Sequence, residues 1–176
     1  NNTAIGYQSL FSTTGGSNVA VGYASLVNNS TGTANNAFGY QALFTNSTGS
    51  NNTAVGTNCL YANTTADFNV AVGRDGLRYN TTGTNNVALG TYALKTNTIG
   101  TNNTAVGFQA MLDNSTGDFN VALGKNALFA NTTASFNTAV GTNTLQANLT
   151  GSSNVGVGHS VLFRNTTGDN NTGIGQ

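Results

Sequence analysis

The stretch Asn52-Thr53-Ala54-Val55-Gly56-Thr57-Asn58-Cys59-Leu60-Tyr61-Ala62-Asn63-Thr64-Thr65-Ala66-Asp67-Phe68 decides the fold, because the chain is this unit written over and over. Its first glycine recurs at Gly6, Gly22, Gly39, Gly56, Gly73, Gly90, Gly107, Gly124, Gly141, Gly158 and Gly175, one spacing of 16 residues followed by nine of 17. Four residues ahead of each glycine stands Asn, from Asn2 to Asn171. Four residues after it stands Leu, as in Leu43, Leu60 and Leu94, with Met111 once. Seven after it comes a second Asn (Asn29, Asn46, Asn63 and onward), absent only from the short first unit. The unit is N-x-A-V-G-x-x-A-L-x-x-N-T-T-G-x-x, ten times, with the start of an eleventh. No break interrupts it, so residues 1–176 read as a single repeat array.

A unit of this length is too short for helix-pair repeats, which need about 33 residues. Recurrent Gly, Asn and Thr disfavour helix. Thr53-Ala54-Val55 has strand periodicity, and Ala93-Leu94 or Ala127-Leu128 would seed a second short strand. Gly and Asn between them suit turns. The expected fold is all-β, a parallel β-solenoid (β-roll) of ten 17-residue coils, each residue sitting on its own copy one unit away at about 4.8 Å. In that reading Val21, Val55 and Val106 form one inward apolar ladder, and Leu60 and Leu94 another. Stacked Asn side chains hydrogen-bond at the corners. The Ala column (Ala54, Ala71, Ala88, Ala105) is left as a flat surface for close approach between chains.

Composition narrows the function. Net charge is zero, only 6% of residues are charged and there are five Lys/Arg, too few for the basic field that nucleic acid requires. No apolar run approaches the roughly 18 residues of a membrane span. The single Cys59 allows no intrachain disulfide and reads as a packed small residue in the column of Ala42, Ala93 and Ala110. Asn1 in place of Met, with no visible signal peptide, reads as a piece of a longer fibre protein.

Val19-Ala20-Val21-Gly22, Val70-Ala71-Val72-Gly73 and Val121-Ala122-Leu123-Gly124, each with Asn just upstream, resemble the head repeats of trimeric autotransporter adhesins (YadA-like heads). The wording also looks like the shaft repeats of bacterial and phage-type trimeric fibres. The period is longer here than in the adhesin heads. The resemblance covers the whole chain. It implies a side-by-side homotrimer of β-rolls, located outside the cell, at the cell surface or in a virion fibre, and it carries no catalytic residues.

The search for chemistry gives little. His159 is the only imidazole and has no activated Ser and carboxylate arranged with it in sequence. Asp67, Asp75, Asp113, Asp118 and Asp169 are too sporadic for a calcium-binding repeat and read as solvated turn residues. Gly15-Gly16 and Gly156-Val157-Gly158 lack the strand–loop–helix and Lys of a phosphate loop. The Asn-x-Thr/Ser triplets follow from the repeat itself. No enzyme, cofactor or metal site is expected.

Variation is concentrated just after the glycine and just after the Leu. Arg74, Asp75, Arg78 and Tyr79 form the densest departure, with His159 and Arg164 a second. The candidate surface recognition residues are Arg74, Arg78, Tyr79, His159 and Arg164, facing a host- or prey-surface protein or glycan. The alternative is that they only keep a rod soluble. The aromatic columns (Phe44, Tyr61, Phe129, Phe163 and Phe68, Phe119, Phe136) read either as contacts between chains or as recognition residues. The expected function is a non-enzymatic structural or adhesive fibre segment. The alternative is an ice-binding solenoid, against which stands the absence of a regular Thr-x-Thr strand.

Overall fold

The computed structural model describes residues 1–176. Eleven strands, β1 (Thr3–Ile5), β2 (Val19–Val21), β3 (Asn36–Phe38), β4 (Thr53–Val55), β5 (Val70–Val72), β6 (Val87–Leu89), β7 (Thr104–Val106), β8 (Val121–Leu123), β9 (Thr138–Val140), β10 (Val155–Gly158) and β11 (Thr172–Gly175), pair in parallel, in chain order, in one sheet. There is no helix. The register is one repeat: Thr53 lies on Val70, Ala54 on Ala71 and Val55 on Val72. This is the β-solenoid that the spacing predicts, with ten full coils.

The faces of the strand are the reverse of the expectation. Ala54, Ala71, Ala88 and Ala105 are fully buried, whereas Val55 is 37% and Val72 38% exposed. Val106, too, stands on the outward side of its strand and is only half-buried. Leu60, Leu94 and their copies from Leu26 to Leu145 are fully buried, as expected. The cause is the width of the coil. The Leu side chains enter from the opposite wall and fill the interior, leaving room on the strand for a methyl group only. Alternate strand residues point to opposite faces, so placing Ala inward puts both of its neighbours outward. The core is therefore three columns: the strand Ala, the small residues Ala42, Cys59, Ala93, Ala110 and Ala127, and the Leu/Met series.

The expected second strand does not form. Ala93-Leu94 and Ala127-Leu128 lie in turns. Leu60, Leu94 and Leu128 have φ of 51, 49 and 50°, and the residues two places earlier, Asn58, Tyr92 and Asn126, are also left-handed. A left-handed non-glycine residue costs about 1–2 kcal/mol. The cost is met by hydrogen bonding to neighbouring coils in both directions. The Tyr92 N–H donates back to the Arg74 carbonyl (2.9 Å), and the Leu94 N–H donates forward to the Ala110 carbonyl (3.1 Å). Of 109 backbone–backbone hydrogen bonds only 22 lie within strands, so the turns carry most of the stacking ladder.

Two buried Asn columns close the corners. In the first, the Asn52 N–H donates to the Asn35 Oδ1 (3.0 Å), and the Asn52 Nδ2 donates to the Ala66 carbonyl (2.8 Å). In the second, the Asn63 Nδ2 donates to Asn46 Oδ1 of the preceding coil (2.8 Å) and to the same Ala66 carbonyl (3.1 Å). Both ladders thus converge on the carbonyl that follows the Thr-Thr pair. A buried amide left unpaired costs roughly 1–3 kcal/mol, which explains why no other residue type stands at the first Asn position.

The short first coil shows where length can vary. Thr13 takes the place of the second Asn and accepts from the Asn29 Nδ2 (2.9 Å), while the Gly15 carbonyl accepts from the Asn2 Nδ2 (2.9 Å) as its copies do. Only Thr14 lies between them, where later coils have two residues. The missing residue therefore comes out of the Thr-Thr turn, and every core column stays in register.

Candidate functional site

The residue after each strand glycine turns the chain onto a second wall, and coil five places Arg74, Asp75, Arg78 and Tyr79 along it. Asp75 is left-handed (φ 56°) and its side chain is 2% exposed. Its carboxylate accepts from Arg78 Nη1 (3.2 Å) and from Asn58 Nδ2 of the preceding coil (3.1 Å), and pairs with Arg74 Nε at 3.3 Å. One buried carboxylate therefore fixes two guanidinium groups. Burial is bearable for it because two donors and a second cation replace water.

Aromatic rings extend the cluster into a strip. The Arg78 guanidinium lies 5.3 Å from the Tyr79 ring centroid and 5.8 Å from that of Tyr61. Arg74 lies 5.9 Å from the Tyr92 centroid, and Lys95 Nζ lies 5.0 Å from the same ring. Tyr61, Arg78 and Lys95 follow one another in one column on coils four to six, and Asn58, Asp75 and Tyr92 in another. Such cation–ring contacts favour the charged groups by roughly 0.5–1 kcal/mol at exposed sites. Arg74 is 65% exposed and Tyr79 43%.

The sequence points to Arg74, Asp75, Arg78 and Tyr79, and to Tyr61 only as one of an aromatic column, but not to Asn58, Tyr92 or Lys95. The signal that joins these last four to the cluster is the period. Asn58 and Tyr92 are one repeat either side of Asp75, and Tyr61 and Lys95 one repeat either side of Arg78. His159 and Arg164 are both exposed, on coil ten. They lie four coils beyond the strip's last coil, about 19 Å at the usual strand spacing, and the structure does not bring them into it.

The remaining candidates have structural work. Asp67, Asp118 and Asp169 each accept, at 2.6 Å, the backbone N–H of the residue one repeat earlier: Ser50, Thr101 and Ser152. Ser50, Ser135 and Ser152 hydroxyls do the same in other coils. Cys59 is buried, its thiol against the Gly73 carbonyl. Burial pushes that thiol up to about 11, with the Asp75 charge adding to the effect and backbone hydrogen bonds opposing it. Burial also raises the Asp113 carboxyl. The aromatics mostly stack on neighbouring coils. Tyr7, Tyr23 and Tyr40 form a run at 5.4 and 5.3 Å, and Phe119 lies on Phe136 at 5.3 Å with planes 2° apart.

A second surface feature is the outer face of the sheet. Ile5, Phe38, Val55, Val72, Leu89, Leu123, Val157 and Ile174 lie in one exposed column that runs the length of the molecule. The column beside it alternates irregularly between Thr and Val, with Asn36 once.

Set beside models of known families, curated proteins and solved structures, the chain matches none of them.

Proposed function

We propose that the chain is a non-enzymatic segment of an extracellular trimeric fibre, a shaft or head that spaces or displays a recognition surface. The observation that carries this reading is the outward apolar column from Ile5 to Ile174. Monomeric soluble proteins rarely expose a contiguous apolar patch larger than a few hundred Å², and this one spans all eleven strands. It also replaces the Ala column as the face on which chains would meet, since the Ala residues are sealed inside. Resemblance to trimeric adhesin heads and fibre shafts supplies the number three.

The test is the mass of the particle in solution. Light scattering should give three chains for the wild type. Val106→Asp, which puts a charge on the outer column, should give a lone chain with an unchanged β-type circular dichroism spectrum. A wild type that stays monomeric at micromolar concentration refutes the assembly. The ice-binding alternative would need a regular Thr array on the sheet, but Thr3, Thr53, Thr104, Thr138 and Thr172 are interrupted by Val and Asn36, and the column beside them is apolar throughout. Thermal hysteresis in the wild type would revive it.

A further inference from the structure

We infer that the strip over coils four to six is a binding site for a saccharide bearing oxyanions, either carboxylate or sulfate. This deepens, and rests on, the reading of the chain as a display surface. The chain as a whole is neutral, yet three of its five Lys/Arg (Arg74, Arg78 and Lys95) lie in two adjacent coils with one carboxylate, Asp75, among them. Asp75 occupies Arg74 Nε and Arg78 Nη1 only. The two terminal nitrogens of Arg74 and Nη2 of Arg78 have no acceptor in the molecule, nor does Lys95 Nζ. The Arg74 guanidinium, 65% exposed, is thus held through Nε and leaves its two terminal nitrogens free, the arrangement that takes a carboxylate or sulfate through paired N–H donors, while Arg78, 31% exposed with Nε buried, adds its charge beside it.

The rings select the rest of the ligand. Tyr79 is exposed between neighbouring coils, and Tyr92 sits between Arg74 and Lys95. A flat ring offers a pyranose an apolar face to lie on while its substituents reach the cations, with little side-chain ordering needed because Tyr has few rotatable bonds. The cations stand on two adjacent coils, about 4.8 Å apart, which suits neighbouring anionic groups on one saccharide. The strip lies on the wall that follows the strand, separate from the outer Val and Leu column. Chains meeting through that column would leave it uncovered.

The experiment titrates the intact chain by calorimetry with a dextran sulfate oligosaccharide, with unsulfated dextran of the same length and with a poly-glutamate peptide. Saturable binding of the sulfated sugar is expected, weakened by added salt, with little or none for the other two. Arg74→Gln and Lys95→Gln each leave the Asp75–Arg78 pair in place and should weaken binding about tenfold. Lys125→Gln and Arg164→Gln, cations outside the strip, should leave it unchanged. Equal binding of poly-glutamate, equal losses from all four variants, or no binding at all would each overturn the assignment. A lone chain in light scattering that still binds the sulfated sugar would remove the trimeric fibre and leave the site standing. A trimer that fails to bind would do the reverse.

Discussion

At the scale of the residue, two glycines, Gly76 buried and Gly90 half-buried, should answer the same substitution with opposite signs. Gly90 has φ +136° and sits on Gly107, whose carbonyl oxygen lies 2.5 Å from where a Cβ would go. Gly90→Ala would force apart two coils through rigid backbone and should destabilise the chain by several kcal/mol. Gly76 occupies the small-residue column between Cys59 and Ala93, and its nearest neighbour to an added Cβ is the Ala71 methyl at 3.6 Å, an ordinary contact. Gly76→Ala should stabilise by about 0.4–1 kcal/mol, by restricting the unfolded chain and filling the column. Urea melts of the two variants check both signs. Cys59, in the same column, adds a dependence on pH. Burial holds its folded value at about 11, above a thiol's ordinary 9.0, so its contribution is full below pH 9 and is lost as pH rises through 11. The wild type should lose stability over that window more steeply than Cys59→Ala, and the thiol should resist alkylation at neutral pH until the chain unfolds.

At the scale of the element, the solenoid, the parallel stacking and the Asn corners were all legible, because each follows from the period and from residues that recur at fixed places. Two features were not. A three-residue strand is too short for its alternation to say which side faces in, since Thr53-Ala54-Val55 satisfies period two either way. The decisive clue was variability within the chain: the strand Ala holds through nine coils, giving way only to Gly156 and Gly173, while its outer neighbour changes among Ile, Val, Phe and Leu. A column that tolerates Phe38 and Leu89 cannot be the tightly packed one. The second misjudged element was the Leu segment. Ala-Leu has the propensity of a regular element, yet Leu94 is left-handed. Local preference loses there to two demands of closure, a coil that returns in 17 residues and backbone groups that find partners above and below. The recognition strip was half legible for a related reason. Charge and aromaticity mark Arg74 to Tyr79 along the chain, and Tyr61 as one of an aromatic column, whereas Tyr92 and Lys95 join only when the period is used as a map of space.

At the scale of the whole molecule, each coil touches only the one before and the one after, so stability is a sum of similar coil and interface contributions. The register makes a sharp test of this. Excising residues 86–102 joins Asn85 to Asn103, and the chain then lays Val70 on Thr104, Ala71 on Ala105 and Leu77 on Met111, pairs of the same kind as those it lost. The shortened chain should keep its circular dichroism per residue and melt cooperatively, with overall stability reduced by one coil's share. Excising only residues 88 and 89 removes the same kind of atoms in far smaller number, yet it breaks the column of β6 and offsets Leu94 and Asn97 from their copies. That variant should be the less stable of the two. The first coil already shows the rule at work, since it lacks one residue and gives it up in the Thr-Thr turn, where no core column passes. If the two-residue excision melts above the seventeen-residue one, the stacked columns are not what holds the rod together.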